Sequence, residues 1–482
     1  MKLIPGPGSI GFQLASAQIT LAEVPESEWD SLAEFGFDIV WLMGVWQRSF
    51  ESRRIALEDP ANFDEYNRAL PGWMPEDVIG SPYAVVAYLP DPHIGSWDAL
   101  DLVRKRLHSR GMALFRDHVG NHTALDHPWT REHPEFYVQG MREDYEKNPR
   151  DFNPCATSGK PYFLARARDP YFPPWRDVAQ LNHFHAGMHA AQLSDLRAVA
   201  LHCDGVRCDM AMLQLNDIFA GIWRKFLGTT QPPPEGLWTE AHRAVPNLVL
   251  LAEVYWGTEP RLLELGFRFA YDKGINDAVR DLNLGEIRSR LAAPEEHQGH
   301  LARFLENHDE ARQAAVLGAQ RLPSVGALMG TLPGMQFYYE GELEGRKLRL
   351  PITLRRAADE PPDPVASAFF RRILGIAKGE VFHAGSWALL RVAPEGDNSS
   401  ANLVAYEWRS DAAWKMIVVN LEGTPSQGRI PLANRVSPAK QYVLFDELHE
   451  VRYDRSGDEL NRLGLFVRRE GFQAHLFDIT PA

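Results

Sequence analysis

The feature that most constrains the fold is an alternation of short apolar, β-rich runs with longer segments of helical periodicity. This alternation is typical of repeated strand–helix units, whose strands pair in parallel. We expect eight such strands, at Ile10–Leu14, Asp38–Leu42, Met112–Phe115, Gly205–Cys208, Leu248–Glu253, Phe267–Tyr271, Arg303–Glu306 and Met335–Tyr339. Amphipathic segments such as residues 28–35 and 97–110 would cover the sheet from outside. Eight units predict an α/β protein built on a (β/α)8 (TIM) barrel, a fold of about 250 residues.

The chain has 482 residues, and the barrel needs further domains to account for that length. Asp117 and Asp209 are 92 residues apart, far more than the roughly 30 residues of a strand–helix–strand unit. Residues 123–182 are rich in Pro, aromatic and His residues, and we expect a small inserted domain there, after the third strand. Residues 379–482 alternate without long helices, which predicts a C-terminal antiparallel β-sandwich domain. The barrel would then comprise residues 1–122 and 183–378.

Composition excludes several classes of partner. There are 51 Lys and Arg against 64 Asp and Glu, a formal charge of −13, so nucleic acid is not an expected partner and a neutral substrate is easier to accommodate. No apolar run approaches the roughly 20 residues that span a bilayer, so no membrane association is expected. The first residues lack the pattern of a secretion signal, and we expect a cytoplasmic protein. The three cysteines have no metal-ligand spacing and are interpreted as inert thiols.

Four polar clusters lie at the ends of predicted strands. They are DHVGNH from Asp117, DGVRCD ending at Asp209, LAEVYW around Glu253, and FLENHDE around Asp309. The carboxyl ends of barrel strands meet at one face, where such enzymes keep their catalytic groups. Any single acid could instead cap the following helix, but four carboxylates converging on one axis repel each other and need a compensating purpose. Arg207 lies two residues before Asp209, on the same side of its strand, and can hold that carboxylate ionised.

Two carboxyl groups about 5 Å apart are what retaining glycoside cleavage requires. One attacks the anomeric carbon, and the other delivers and then recovers a proton, for which its pKa must be raised. The clusters at the strand ends can supply such a pair.

In order and in sequence, the four clusters resemble the signature regions of the α-amylase family, glycoside hydrolase family 13, with its pattern D-x-V-x-N-H, G-x-R-x-D, a strand-end Glu, and N-H-D. The strand layout is similar to that of the family over roughly residues 10–378. The resemblance implies a retaining enzyme in which Asp209 is the nucleophile and Glu253 the general acid/base. It also implies that Asp309 binds sugar hydroxyls and stabilises the oxocarbenium-like state.

The same resemblance implies a set of substrate-binding residues: Asp117, His122, Arg207 and His308, with Tyr83 as a stacking ring. Tyr83 as an ordinary core aromatic remains open. No cofactor is implied, although Asn121 matches a position that often binds calcium in amylases, which makes calcium possible. Arg116, His118 and Gly120 depart from the residues that are commoner in the family at their positions.

The resemblance implies a covalent glycosyl-enzyme intermediate but leaves open whether water or another acceptor then takes up the sugar. The first possibility is hydrolysis of α-glucosides or α-glucans, so that the partner is an oligo- or polysaccharide with α-glucosidic linkages. The alternative is a transglycosylase of the trehalose-forming or maltosyl-transferring type, since ALDHPWTREHPEFY is similar to stretches in those relatives. A non-catalytic binding protein is disfavoured because the carboxylate trio is complete. Four aromatic side chains of the insertion could contact glucosyl units or only pack a small core, and packing is the favoured interpretation: Trp129, Tyr171, Phe172 and Trp175.

Overall fold

The computed structural model describes residues 2–5, 13–14, 17–18, 20–157 and 159–482. Eight parallel strands close into a barrel in which each strand lies beside its neighbours in the chain. They are β1 Lys2–Pro5, β2 Ile39–Met43, β3 Ala113–His118, β4 Gly205–Cys208, β5 Val249–Ala252, β6 Phe269–Tyr271, β7 Leu301–Phe304 and β8 Met335–Tyr339. The predicted (β/α)8 fold class is confirmed.

The expected position of the first strand was wrong. β1 pairs with β2 in parallel from Lys2 opposite Val40 to Pro5 opposite Met43. Gln13–Leu14 instead pair antiparallel with Ala17–Gln18, and the remaining residues of the expected strand, 10–12, lie outside the described residues. Both runs are short and apolar, and local sequence does not reveal which of them pairs with a strand some 35 residues away.

Helices alternate with the barrel strands, and their ends follow ordinary capping chemistry. The helix Trp97–His108 begins at Ser96, whose hydroxyl accepts a hydrogen bond from the N–H of Ala99. The helix Glu26–Phe35 ends at Gly36, which adopts a left-handed conformation with φ +84°. Other main helices are Phe50–Glu58, Pro60–Ala69, Ala186–Ala200, Asn216–Trp223, Leu237–Ala244, Glu259–Glu264, Lys273–Arg280, Leu284–Leu291, Gly318–Thr331 and Pro364–Ala377. None of the helices in the described part of the chain is both long and apolar enough to cross a bilayer.

Most side chains of β2 to β8 are buried, on both faces of each strand. Glycine at position 205 is required by close packing between β3 and β4, because a Cβ there would lie 2.4 Å from the ring of Phe115. A strand that is buried on both faces consists mostly of apolar residues, and most of the barrel strands could therefore be located from the sequence pattern.

The insertion after β3 forms two small antiparallel sheets. Strand Phe152–Thr157 pairs with Lys160–Ala165, and His122–Ala124 pairs with Val178–Gln180. The first sheet contributes Phe152 and Phe163 to an apolar cluster that also includes Phe219 and Trp223 from the helix after β4. The insertion therefore forms small sheets whose core is shared with the helix after β4, and its status as a separate domain stays a prediction.

Contacts between residues divide the chain into two compact units, Met1–Tyr271 with Leu348–Asp359, and Asp272–Lys347 with Glu360–Ala482. The second unit contains a six-stranded antiparallel sheet and a two-stranded sheet. Their strands are Ser386–Leu390, Leu403–Arg409, Trp414–Asn420, Ser426–Ile430, Gln441–Asp446, Val451–Ser456, Leu465–Arg469 and Ala474–Pro481. A cluster including Met416, Val418, Leu444 and Leu465 forms the core. The predicted antiparallel C-terminal β domain is confirmed as a fold class, whereas the proposed residue boundaries of the domains stay a prediction.

A buried carboxylate organises one end of this C-terminal domain. Oδ2 of Asp446 accepts hydrogen bonds from Nδ1 of His449 at 2.9 Å and of His475 at 2.7 Å, and two backbone N–H groups donate to its Oδ1. Burial would raise the pKa of Asp446, but the two imidazoles lower it well below its ordinary value. The three side chains are close enough to share a metal ion. The Arg469 guanidinium, 2.5 Å from Nε2 of His449, already balances the carboxylate, so the cluster is satisfied as a hydrogen-bonded network.

Candidate active site

The first group of candidate residues lies at the carboxyl ends of β3, β4 and β5. Arg207 is in register with Asp117 on the neighbouring strand. Asp209 follows β4, and its N–H donates to the carbonyl of His118 at 2.9 Å; Glu253 follows β5, and its N–H donates to the carbonyl of Cys208 at 3.0 Å. Ladder hydrogen bonds thus continue just past the strands and fix the backbone that carries both acids.

One buried guanidinium connects the carboxylates. Nη1 of Arg207 lies 2.6 Å from Oδ1 of Asp209 and 3.8 Å from Oδ1 of Asp117, and Nη2 lies 2.8 Å from Oε2 of Glu253. Burial alone would lower the pKa of Arg207, but Glu253 and Asp209 are among the groups that raise it well above its ordinary value. Arg207 is therefore a permanent cation that favours the carboxylate form of its neighbours.

Aromatic rings enclose this guanidinium. Its central carbon lies 5.3 Å from the ring centroid of Trp41, 5.1 Å from that of Tyr83 and 5.9 Å from that of Tyr271. Tyr83 is buried and belongs to the Arg207 environment; this contact fits both interpretations of that residue. Trp41 and Tyr271 were not identified as site residues from the sequence, because each lies in an apolar strand, where an aromatic residue is expected to pack in the core.

Glu253 is held at both carboxyl oxygens. Oε2 accepts a hydrogen bond from the backbone N–H of Met210 at 2.6 Å, in addition to its contact with Arg207. Oε1 accepts one from the hydroxyl of Tyr255 at 2.8 Å. Met210 is a non-glycine residue with φ +43°, a left-handed conformation that costs about 1 kcal/mol or more and aims its N–H at Glu253. Neither Tyr255 nor Met210 was identified from sequence.

Asp117 is anchored by backbone and lies beside Arg207. Its Oδ2 accepts a hydrogen bond from the N–H of Gly44 at 3.2 Å, and its carbonyl accepts one from the indole of Trp46. Gly44 has φ +69°, and a Cβ there would approach Cβ of Pro82 to 2.8 Å. Position 44 thus needs glycine for both conformation and space.

His122 faces the other oxygen of Asp209. Its Nε2 lies 4.0 Å from Oδ2 of Asp209, and burial lowers the pKa of His122 to about 4. The imidazole is therefore neutral at pH 7 and can serve as a hydrogen-bond partner for a neutral ligand without adding charge.

The residues around Asn121 do not fit a calcium ion. Oδ1 of Asn121 accepts a hydrogen bond from the amide of Gln180 at 3.0 Å, and Nδ2 of Asn121 lies 3.4 Å from Oε1 of the same amide. Calcium prefers six to eight oxygen ligands with several carboxylates. The Asn121 oxygen is neutral and already accepts a hydrogen bond from Gln180, so it does not provide the charged oxygen set that calcium requires.

The departures from the family pattern pack into the barrel wall. Arg116 lies between the rings of Trp46 and Trp97, 5.6 Å from each centroid, and burial lowers its pKa to about 10. His118 stacks on Tyr88 with ring centroids 5.6 Å apart, and burial lowers the pKa of His118 to about 4.

A second group follows β7. Oδ1 of Asn307 accepts hydrogen bonds from the N–H groups of Asp309 and Glu310, so a tight turn presents the Asp309 side chain. Nε2 of the buried His308 lies 3.0 Å from Oδ2 of Asp309, whose side chain is 45% exposed. Asp309 is thus oriented by its own neighbours and is open to a ligand on one side.

Comparison with known proteins agrees with the motifs. The chain is 25% identical over 330 residues to the α-amylase MalA of Haloarcula japonica, covering 67% of this chain and 45% of that protein. It is 24% identical over 284 residues to α-amylase 3 of Dictyoglomus thermophilum, covering 53% and 52% respectively. The chain therefore spans about half the length of these curated relatives. No protein-family profile matches it.

Solved structures share the fold over nearly the whole chain. The maltogenic α-amylase AmyB from Thermotoga neapolitana superposes with a TM-score of 0.71 and 17% identity, covering 99% of this chain and 97% of that one. An α-amylase from Lactobacillus plantarum gives 0.69 and 19% with the same coverage. The α-amylase of Geobacillus thermoleovorans, complexed with acarbose, gives 0.66 and 16%, again covering 99% and 97%. The four ordered motifs, the barrel and the curated relatives all agree with the resemblance of this chain to enzymes of the α-amylase family, glycoside hydrolase family 13.

Proposed function

We propose that this protein is a retaining hydrolase of α-glucosidic bonds that acts on α-glucosides or α-glucans. The observation that carries the proposal is the Arg207 guanidinium, which contacts Asp209 and Glu253 at 2.6 and 2.8 Å from two different nitrogens. Two acids held by one planar cation keep a fixed separation, and that is the arrangement a two-step displacement needs.

In the first step Asp209 is the nucleophile. Its carboxylate, kept ionised by Arg207, attacks the anomeric carbon while the bond from that carbon to the leaving oxygen breaks. Glu253 gives its proton to the leaving oxygen. Because three carboxylates surround one guanidinium, their repulsion favours one of them keeping a proton, and in the proposed scheme that one is Glu253, which the resemblance assigns as the general acid/base.

In the second step the covalent ester between Asp209 and the sugar is opened by water. Glu253, now a carboxylate, takes a proton from the water as its oxygen attacks the anomeric carbon, and Asp209 leaves as a carboxylate. Two inversions give net retention. Neutral His122 would donate a hydrogen bond to the sugar in this scheme.

We further propose that Asp309 and His308 complete the sugar-binding set. Support comes from their position directly after a barrel strand, since the carboxyl ends of barrel strands carry the catalytic groups of this fold. The turn at Asn307 and the exposed side chain of Asp309 suit a carboxylate that binds sugar hydroxyls.

The test is replacement of Asp209 by Asn, assayed on a 4-nitrophenyl α-glucoside and on maltooligosaccharides. We expect turnover to fall by at least about 10³-fold, because the covalent step is lost. Asp217→Asn is the matched control, since Asp217 is an exposed residue in the first turn of the helix Asn216–Trp223 and pairs with Arg261 at 2.6 Å. Undiminished turnover in the Asp209 variant, or a first product of inverted configuration, would reject the proposal.

Transfer to a sugar acceptor uses the same covalent intermediate and is the second outcome to separate. Chromatography of the products from maltotriose, with and without added glucose or maltose, distinguishes the two. Free glucose and maltose as the main products support hydrolysis, whereas longer oligosaccharides or trehalose support transfer.

A further inference from the structure

A buried ion pair lies in the same loop as Asp309, after β7. Glu306 and Arg312 are 1% and 4% exposed, and Nη1 of Arg312 lies 2.8 Å from Oε2 of Glu306. Asp309 lies midway between them in the chain. We refer to the Glu306–Arg312 pair as the loop clamp. The cost of desolvating two charges offsets most of their attraction, so net stability alone does not account for such a pair.

The loop clamp closes the loop at its base. Oε1 of Glu306 accepts a hydrogen bond from the N–H of Gln313 at 2.6 Å, and the side-chain amide of Gln313 donates to the carbonyl of Leu305 at 2.8 Å. Together with the contact from Arg312, these bonds join the first two residues of the loop to the last two. The backbone between them is therefore held at both ends, which fixes the position of the side chains it carries.

Arg312 also joins this loop to the end of β8. Its Nη1 donates to the carbonyl of Glu340 at 2.6 Å, and its central carbon lies 4.4 Å from the ring centroid of Tyr339. Burial would lower the pKa of Arg312, but Glu306 and Tyr339 are among the groups that raise it, so the side chain is a permanent cation. Lysine would keep the charge at this position but lacks the planar group that covers the ring.

The position of Asp309 depends on the same loop. Its N–H donates to Oδ1 of Asn307, and its Oδ2 lies 3.0 Å from Nε2 of His308, so the groups that orient Asp309 lie inside the clamped segment. Burial raises the pKa of Tyr339 to about 12; Arg312 opposes this rise and Asp309 adds to it. Arg312 and Asp309 thus act on one buried phenol, and a shift of the loop would move the carboxylate.

We propose that Arg312 is a positioning residue for Asp309, because the loop clamp and the contact with the end of β8 hold the loop in one geometry. This inference rests on the proposed function for the role of Asp309 at the sugar. Arg312 acts through Asp309 and not on the substrate itself. Misplacing a catalytic group by about 1 Å can cost roughly 10²-fold in rate, so the loss of Arg312 should be measurable.

A double-mutant cycle tests whether Arg312 acts through Asp309. Hydrolysis of maltoheptaose is measured for Arg312→Ala, for Asp309→Asn and for the combined variant. We expect kcat/KM to fall roughly 30-fold or more in Arg312→Ala, but by less than about threefold when Asp309 is already replaced. Losses that multiply in the combined variant, or an Arg312→Ala enzyme within about threefold of wild type, would overturn the proposal.

Glu306→Gln carries the test if Arg312→Ala does not fold. The substitution has nearly the same shape and keeps an oxygen for the N–H of Gln313, but it removes the charge that pairs with Arg312. We expect kcat/KM to fall by about fivefold or more, again with little further loss in the Asp309→Asn background. Unchanged activity in Glu306→Gln counts against the loop clamp.

Arg303→Ala is the matched control for loss of a buried arginine. Arg303 lies on β7 and is 2% exposed, but its guanidinium donates to the carbonyl groups of Gln298 and Pro333, which precede β7 and β8. We expect this variant to unfold at a lower temperature while kcat/KM below its melting point stays within about twofold of wild type. An equal loss of activity in Arg303→Ala would assign both effects to general destabilisation.

A binding experiment separates this inference from the proposed function. Maltoheptaose is titrated calorimetrically into Asp209→Asn and into that variant combined with Arg312→Ala. Binding weaker by about threefold or more in the combined variant supports the positioning role even if the wild-type protein hydrolyses no glucoside. If the wild type is active, the double-mutant cycle decides, and multiplying losses overturn the positioning role while the function stands. An inactive wild type with equal affinities in the two titrations rejects both proposals.

Discussion

Replacing Arg207 by Met should reveal how much the charge balance of the candidate site contributes to folding. The guanidinium is fully buried and contacts two carboxylates within 2.8 Å, with a third at 3.8 Å. Methionine keeps an apolar stem of similar length but removes the positive charge. Removing one partner of a buried ion pair typically costs about 3–5 kcal/mol, and here the acids left behind also repel each other. We expect a loss near the upper end, about 5 kcal/mol.

Urea denaturation at pH 7, followed by tryptophan fluorescence, measures that loss as a lower midpoint. The same assay on Asp209→Asn should show the opposite tendency, since removing one of the three carboxylates relieves repulsion and leaves Arg207 paired with Glu253. Equal destabilisation by Arg207→Met and Asp209→Asn at pH 7 would refute the charge argument and leave packing as the explanation.

Three further outcomes can be measured independently. Tyr255→Phe removes one hydrogen bond to Glu253, and we expect kcat to fall about tenfold, the effect of a charge-assisted bond; an unchanged kcat contradicts this. Asp446→Asn should lower the free energy of unfolding by about 3 kcal/mol in a denaturation experiment, and an unaltered midpoint contradicts it. Burial lowers the pKa of His118 to about 4 against roughly 6.5 unfolded, so the unfolded chain binds more protons between these values and stability falls as pH drops from 7 to 5. His118→Gln should remove up to about 2 kcal/mol of that pH dependence, and an identical pH slope in the variant would show that His118 does not contribute.

The sequence predicted the barrel because strands buried on two faces leave an unambiguous local pattern. Gly205–Cys208 and Met335–Tyr339 were located with the bounds that the structure has. The first strand was misplaced because the choice of Lys2–Pro5 depends on pairing with β2, a contact that no local window contains. Val451–Ser456 shows the opposite case, since this exposed edge strand consists mostly of polar residues and leaves no apolar run in the sequence.

The candidate site was predictable to a similar degree. The two-residue period of a strand correctly placed Arg207 and Asp209 within hydrogen-bond reach. Tyr255 could not be singled out, since a tyrosine after a strand is usually part of the core. Tyr171 and Phe172 are each 70% exposed, so the packing interpretation does not account for them. Their exposure depends on which other aromatic residues fill the insertion, and composition alone does not decide that.

The left-handed turn at Met210 has a consequence for how this site tolerates change. The hydrogen bond from position 210 to Glu253 is donated by the main-chain N–H. A substitution of the side chain at position 210 can therefore leave this hydrogen bond in place. Only proline, which lacks the N–H and cannot adopt a positive φ, removes the interaction outright. Variation among homologues at this position would therefore conceal a contact on which the orientation of the acid depends.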